Sequence, residues 1–312
     1  RASVYRGGKT RDKNRPLFQN LPLVRANKIK QVRSTGVIEK MDSTVTYLME
    51  NSQEAIRLDV KTDTDAVRRQ ADWCGVKPGM RVLDLGCGSG RTTSILKEMV
   101  EPGGNVVGID YSPERITYAK NHFGNRPGID FVTHDLTTPI TGIGQFDIIW
   151  VRFVLEYYRR ESLSIVRNLR PLLKTGGFLC LIDLDYNCLS HYELPPHMAD
   201  ILPKLMAFLD EAFNFDTFAG RKLYSYLYDL HFQNIEVTLT AHHLIYGKAK
   251  ETDVFNWLTK VRVGMDKLEG LFADYPGGAD AFLREFEQFF LHPRRFTYTP
   301  LILCKGQRPD PD

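Results

Sequence analysis

From residue 80 to residue 186 the chain alternates short apolar runs with helix-patterned segments, a rhythm that few folds accept. The runs at 81–85, 105–110, 130–134, 146–151 and 178–183 have strand length and are nearly continuous in apolar residues. Strands buried on both faces read this way, whereas half-exposed strands alternate. Helical patterns separate them at 91–100, from Ser112-Pro113-Glu114 onward, and at 161–173, with Ser112 placed to cap and Pro113 in the first turn. Lys77-Pro78-Gly79 introduces the first run, and Pro102-Gly103-Gly104 closes the first helix. The expectation is an α/β fold with a doubly wound parallel sheet.

That regularity stops after Tyr186. Residues 187–231 read as a loop and two helices, 234–246 as a strand and 297–305 as a final strand, with a mostly helical insert of about 45 residues between those two strands. Residues 37–74 contain no Pro or Gly and predict helix. The expected organisation is a basic, partly disordered extension at 1–40, a helical cap at 41–75, a ligand-binding core at 76–186, and a segment at 187–312 that completes the sheet and adds a helical lid.

Charge and cysteine usage narrow the class. Residues 1–40 hold 11 of the 41 Lys/Arg and two of the 38 Asp/Glu, which leaves 30 basic and 36 acidic groups for the rest of the 312 residues. The arm reads as a solvated extension, with contact to nucleic acid or a membrane surface as the sharper alternative. An acidic body beneath it suits a phosphate-gripping protein poorly, so nucleic acid is disfavoured as a partner. The chain begins at Arg1, which reads as a trimmed or excised product. No run of 18 apolar residues predicts a membrane span. Five scattered cysteines without a C-x-x-C pair point to a reducing, cytoplasmic setting and to no metal site. Monomer and homodimer remain equally open.

The strongest chemical signal is Val82-Leu83-Asp84-Leu85-Gly86-Cys87-Gly88-Ser89-Gly90, at the junction of the first strand and first helix. Glycines at every second position let backbone approach a ligand closely, and the following helix presents free N–H groups. The spacing is G-x-G-x-G, whereas the dinucleotide fingerprint is G-x-G-x-x-G. Asp84 also places a carboxylate where pyrophosphate would be repelled, which favours a cationic ligand.

These residues resemble motif I of the class I S-adenosylmethionine (SAM)-dependent methyltransferases, and four more segments follow in that family's order. Val106-Val107-Gly108-Ile109-Asp110-Tyr111-Ser112 resembles the second-strand motif, and Phe131-Val132-Thr133-His134-Asp135-Leu136 the third. Phe146-Asp147-Ile148-Ile149-Trp150-Val151 resembles the fourth strand. Leu169-Arg170-Pro171-Leu172-Leu173-Lys174-Thr175-Gly176-Gly177 resembles the helix and turn before the fifth. The resemblance implies a Rossmann-like seven-stranded sheet with an antiparallel last strand and a helical lid.

It also implies SAM as cofactor, with S-adenosylhomocysteine as product, and a set of cofactor-binding residues. Leu85, Gly86, Cys87, Gly88 and Gly90 would admit the methionine portion, with Asp84 facing its ammonium through water. Asp110 would grip the ribose diol and Tyr111 would stack on adenine. His134, Asp135 and Leu136 would border the adenine edge, His134 as a strand-end residue and not as a base. Val151 and Arg152 would end beside the sulfonium. Tyr47 and Arg57 lie in the segment that closes over SAM in related enzymes, where an Arg can pair with its carboxylate.

The acceptor is approached by exclusion, because in-line methyl transfer needs alignment more than a fixed catalytic motif. Val151-Arg152-Phe153-Val154 occupies the strand-four end where base-amino and glutamine methyltransferases carry (Asn/Asp)-Pro-Pro-aromatic, and no Pro-Cys nucleophile of the cytosine C5 type is present. Cys74, Cys180 and Cys188 look too scattered for an arsenite-type site. Residues 146–157 most resemble the quinone-biosynthesis-type and general small-molecule methyltransferases. Aromatics crowd 187–298, reading either as an apolar acceptor pocket or as lid core. Tyr157 and His191 are the candidate catalytic residues, with Tyr186 and Asp185 as further candidate bases. The expected function is methyl transfer to a small molecule that is apolar or aromatic. The alternatives are an RNA or protein methyltransferase docking substrate through the basic arm, and a non-catalytic SAM-binding protein.

Overall fold

Alternate residues of the central strands enter two different cores, one on each face of the sheet. The computed structural model describes residues 54–310. Strands β1 (Arg81–Leu85), β2 (Asn105–Asp110), β3 (Ile129–Thr133), β4 (Phe146–Arg152) and β5 (Leu173–Leu184) run parallel in the order β3-β2-β1-β4-β5. On one face, Leu83, Leu85, Ile149 and Leu181 pack with Ile165 and Val166 of α5 (Ser162–Leu169) and with Leu223 of α7 (Leu223–Asp229). On the other, Val82, Ile148, Trp150 and Ile182 meet Val67 and Ala71 of α2 (Thr64–Cys74) and Ile95 and Leu96 of α3 (Arg91–Val100). Each of these buried aliphatic side chains contributes roughly 1.5–3 kcal/mol relative to exposure. The doubly wound expectation holds.

β8 (Phe296–Gln307) enters antiparallel between β5 and β7 (Gln233–Tyr246). The described sheet has eight strands, one more than expected. The addition is β6 (His191–Tyr192), where the loop leaving β5 runs back against Thr297 and Phe296 at the start of β8. A third apolar core is built mainly from α6 (Pro196–Ala212), α8 (Glu251–Lys267) and α9 (Gly278–Leu291) against Ile245 of β7, and includes Leu205, Trp257, Phe282 and Phe286. Much of the downstream aromatic density goes there, while Tyr224, Tyr228 and Tyr246 face solvent.

Two boundaries differ from expectation. The helical stretch before β1 breaks, in its described part, into α1 (Glu54–Lys61) and α2, because Asp63 is extended and caps α2 by accepting the Ala66 N–H at 3.0 Å. The helix expected over 161–173 stops at Leu169. Pro171 then sits in a single 3-10 turn, and β5 begins at Leu173. Residues 1–53, including the basic arm and Tyr47, lie outside the described residues. No helix among the described residues is long and apolar enough to cross a membrane.

Candidate active site

The loop after β1 is held by its neighbour strand. Gly86 and Cys87 both donate backbone N–H groups to the Ile109 carbonyl, at 2.7 and 2.9 Å. Gly86 has φ +73°, and a Cβ there would lie 2.4 Å from Val154 Cγ2. Gly88 has φ +55°, and a Cβ there would meet Leu58 Cδ1 of α1 at 3.0 Å. The glycines therefore serve both the left-handed turn and the close approach of two covering side chains.

Asp110 ends β2 buried and heavily engaged. Its Oδ2 accepts the Gly88 N–H at 3.0 Å. Its Oδ1 accepts the Ser112 N–H at 3.0 Å and two Arg115 guanidinium N–H groups at 3.1 and 3.0 Å. The Arg115 guanidinium also lies 4.9 Å from the Tyr111 ring centre. Asp110 was expected to grip a diol with both oxygens; Arg115 and Ser112 already fill Oδ1, which leaves Oδ2 with the spare lone pair. Arg115, in the first turn of α4 (Pro113–Phe123), carries no signal in the glycine or acid motifs.

Asp84 turns inward. It is 2% exposed and accepts a hydrogen bond from Thr93 Oγ1 at 2.7 Å, so the expected orientation toward a ligand ammonium is not the one observed. Burial raises its pKa to about 7, against the opposing pull of the Thr93 hydrogen bond and the Arg152 charge. Arg152 itself donates to Gln70 Oε1 at 2.9 Å and lies 4.1 Å from the centre of the Phe153 ring. Phe153 is left-handed at φ +57°, a strained turn that swings Val154 over Gly86.

A cavity of about 780 Å³ opens above these carboxyl-end loops. Gly86, Cys87, Gly88, Asp110, Tyr111 and Leu136 form one wall, and Arg57, Arg152 and Tyr157 another. Asp84, Leu85, Gly90, His134, Asp135 and Val151 are not among the residues that line the cavity, and Asp135 is exposed to solvent. Leu85 and Val151 belong to the sheet core, Asp135 Oδ1 accepts from Thr137, and His134 Nε2 faces Thr138 Oγ1 at 3.1 Å. Arg57 pairs with Glu54 at 2.6 Å.

The candidate bases separate clearly. Tyr157 lies on the cavity wall in the 3-10 turn (Leu155–Tyr157) that also carries Glu156, and its hydroxyl opposes the burial-driven rise of the Glu156 pKa. His191 is off the wall. Its Nδ1 meets Thr297 Oγ1 at 2.9 Å, its ring packs edge-on to Trp257, and burial lowers its pKa to about 4, so the ordinary imidazole pKa that recommended it is lost. Asp185 is paired with Arg221 and Tyr186 is 45% exposed beside Phe218. Folding does gather Cys74 and Cys180, with Cys304 nearby, but inside the core, where burial raises the Cys74 and Cys304 thiol pKa values. That arrangement does not make a thiolate site.

Sequence reasoning missed the groups that converge from distant segments. Glu156 is 3% exposed, accepts from Asn187 Nδ2 at 2.9 Å, and has its pKa raised by burial. Behind it Asp183, also buried, accepts the Glu156 N–H at 3.2 Å, and burial and the Glu156 charge push its pKa well up. Lys61 of α1 and His242 and His243 of β7 complete the wall. Burial and the nearby Arg57 and Lys260 charges lower the Lys61 pKa to about 7.

Five parallel strands closed by an antiparallel one, with a glycine loop after the first and an acid after the second, define the fold of the SAM-dependent methyltransferases. The chain belongs to the methyltransferase-domain family, whose model matches residues 76–239. Over 110 residues it is 34% identical to an uncharacterized methyltransferase of Synechocystis sp., covering 35% of this chain and 49% of that one. Over 117 residues it is 28% identical to the demethylmenaquinone methyltransferase of Lactococcus lactis, covering 37% and 46%. Both matches span about half of the relative's length. The fold resembles phosphoethanolamine N-methyltransferase 2 of Haemonchus contortus, solved with SAM, at a TM-score of 0.50 and 16% identity over 79% of this chain and 53% of that one. The donor set here fits such a cofactor: backbone glycines on one wall, a carboxylate with a spare lone pair, and an aromatic ring beside it.

Proposed function

We propose that this chain transfers the methyl group of SAM to a small-molecule acceptor held in the same cavity. One observation carries the reading: the glycine loop, Asp110, Glu156 and Tyr157 all border one space of about 780 Å³, within the range of single-ligand pockets and at its larger end. When bound, SAM supplies a methyl carbon already activated by sulfonium. Gly86 and Gly88 shape the backbone floor, Asp110 Oδ2 accepts a ribose hydroxyl, and Tyr111 and Leu136 flank the base. Arg152 borders the reacting end. His134, Asp135, Leu85, Gly90 and Val151 act indirectly, by fixing the strand ends and loops that carry the lining residues.

Tyr157 and Glu156 hold the proton chemistry. Both side chains line the cavity, so the Glu156 carboxylate can take an acceptor's proton directly or through the neighbouring Tyr157 hydroxyl. The α1 segment, whose Leu58 covers Gly88, acts as a cap, and the core built from α6, α8 and α9 acts as a lid that excludes water. The likeness to demethylmenaquinone methyltransferase supports an apolar or aromatic acceptor of the quinone-precursor kind.

Calorimetric titration with SAM, and separately with NADH, tests the cofactor. Micromolar binding of SAM alone is expected, and binding of NADH instead would overturn the reading. Incubation with radiolabelled SAM and a panel of phenols, quinol precursors and amines then tests transfer. A protein that binds SAM yet labels no acceptor would be a non-catalytic binder.

A further inference from the structure

A second, smaller cavity of about 80 Å³ lies inside the lid core, lined by Leu205, Met206, Trp257, Gly264 and Phe282 among other apolar groups. Tyr157 borders both cavities, so the two spaces share one wall residue at the proposed reaction centre. By the volume one water-sized group requires, the small cavity holds roughly five to eight carbon-sized atoms. Its lining offers almost no polar surface except where it meets Tyr157, Asn187 and Lys260.

That meeting point is rich in cations and donors. Lys260 Nζ donates to Asn187 Oδ1 at 2.8 Å, and Asn187 passes the contact to Glu156. Lys61 stands across the larger cavity, 5.8 Å from the Phe153 ring centre, with no ion pair among the described residues. Two buried nitrogens beside this point have no hydrogen-bond partner: Trp257 Nε1, which can only donate, and His243 Nδ1. Their rings are 5.7 Å apart. A buried donor without an acceptor is costly, and a ligand oxygen is the natural relief. Burial lowers the pKa values of Lys61 and His243, the Lys260 charge pushes each down further, and Glu156 and Glu54 oppose this at Lys61.

We infer that the acceptor is an amphipathic anion, with an apolar tail of several carbons in the lid cavity and a carboxylate head between Lys61, Lys260 and the Trp257–His243 pair. This assignment rests on the methyl-transfer reading of the larger cavity and names the class of molecule that site takes.

The test uses the full chain, with and without S-adenosylhomocysteine, titrated with octanoate, 1-octanol and acetate. Binding is read by calorimetry and by Trp fluorescence. Octanoate is expected to bind at least tenfold more tightly than octanol, which lacks the charge, and than acetate, which lacks the tail. Lys61→Gln and Lys260→Gln should each weaken octanoate about tenfold, and Lys260→Gln, which lies off the larger cavity, should leave S-adenosylhomocysteine affinity unchanged. Gly264→Val narrows the lid cavity at a position where an added Cβ meets only Leu268 Cδ1 at 4.0 Å, so the fold tolerates it. That variant should shift preference from octanoate toward butanoate. Octanol binding as tightly as octanoate, acetate matching octanoate, or a Gly264→Val variant with unaltered chain-length preference would each overturn the inference. Octanoate binding without any S-adenosylhomocysteine binding would instead retain the subsite and remove the methyl-transfer reading. The reverse result would remove the subsite alone.

Discussion

Gly88 donates its backbone N–H to Asp110 Oδ2 at 3.0 Å, which ties the glycine loop of one strand to the terminal acid of the next. Since Arg115 and Ser112 hold the other oxygen, the carboxylate is oriented before any ligand arrives. Asp110→Ala would therefore strand the buried Arg115 guanidinium and unpin the loop. The expected cost is about 3 kcal/mol, the scale for removing one partner of a buried ion pair, with loss of SAM binding. Urea unfolding and SAM calorimetry on Asp110→Ala, and on Asp110→Ala/Arg115→Ala, check it. The double variant should recover part of the stability and none of the SAM affinity.

Asp84 predicts a pH-dependent effect of opposite sign to the usual carboxylate. Burial holds its folded pKa at about 7, above the unfolded value of 3.8, so between those values the folded state binds more protons than the unfolded chain. Its contribution to stability is thus greatest below pH 4 and declines as pH rises to 7. Asp84→Asn keeps an acceptor for Thr93 and removes the charge. That variant should be more stable than the parent by about 1–4 kcal/mol at pH 8 and equal to it near pH 4, measured by urea midpoints. SAM affinity should be compared in the same samples.

Gly86→Ala meets two separate penalties, a left-handed φ of +73° and an overlap with Val154 Cγ2 at 2.4 Å. Together they should destabilise the fold by about 2–4 kcal/mol. Adding Val154→Ala removes the overlap but not the backbone penalty. The pair should recover about half of the lost melting temperature, and full recovery would mean that the conformation carries no cost.

Glu156→Gln and Tyr157→Phe should each lower kcat by about 10²–10⁴ while leaving SAM affinity intact. Because burial raises the Glu156 pKa, the parent rate should climb with pH through that raised value as the carboxylate forms. The Glu156→Gln profile should lose that limb. A variant that keeps the limb assigns the base elsewhere.

Lys61 predicts the pH course of anion binding. In the free protein it loses its proton near pH 7 under burial and the charges of Arg57 and Lys260, opposed by Glu156 and Glu54. His242 and His243 face the same space and are held neutral by burial, with Arg152 adding to the positive field at His242. A bound carboxylate restores the charged ammonium, so octanoate affinity should fall steadily as pH rises from 7 to 10, with proton uptake detectable in buffers of different ionisation heat. Lys61→Gln should abolish the slope.

The parts of the site legible in the sequence are those that one loop or one strand end delivers. Gly86, Gly88 and Asp110 sit where local backbone rules place them, and the strand–helix rhythm around them defined the parallel sheet. His191 has an apt pKa for a base in water, but burial against Trp257 takes that property away. Asp84 was expected to face outward, but Thr93, nine residues on, captures it. Glu156, Lys61, His243 and Lys260 come from a turn, a cap helix, an edge strand and a lid helix. Nothing local in the sequence joins them, because their meeting depends on tertiary closure.

The placement of β8 has a consequence for how this chain is made. Its residues 301–307 pair with β5 on one side, and 233–241 of β7 lie along the other, although β8 is the last of the described strands to leave the ribosome. Until residues 296–307 emerge, the apolar run Leu179–Leu184 of β5 is an open edge and β7 has no partner strand. Nascent or truncated chains ending before 296 are accordingly the aggregation-prone species, and chaperone demand should drop sharply once that final strand clears the exit tunnel.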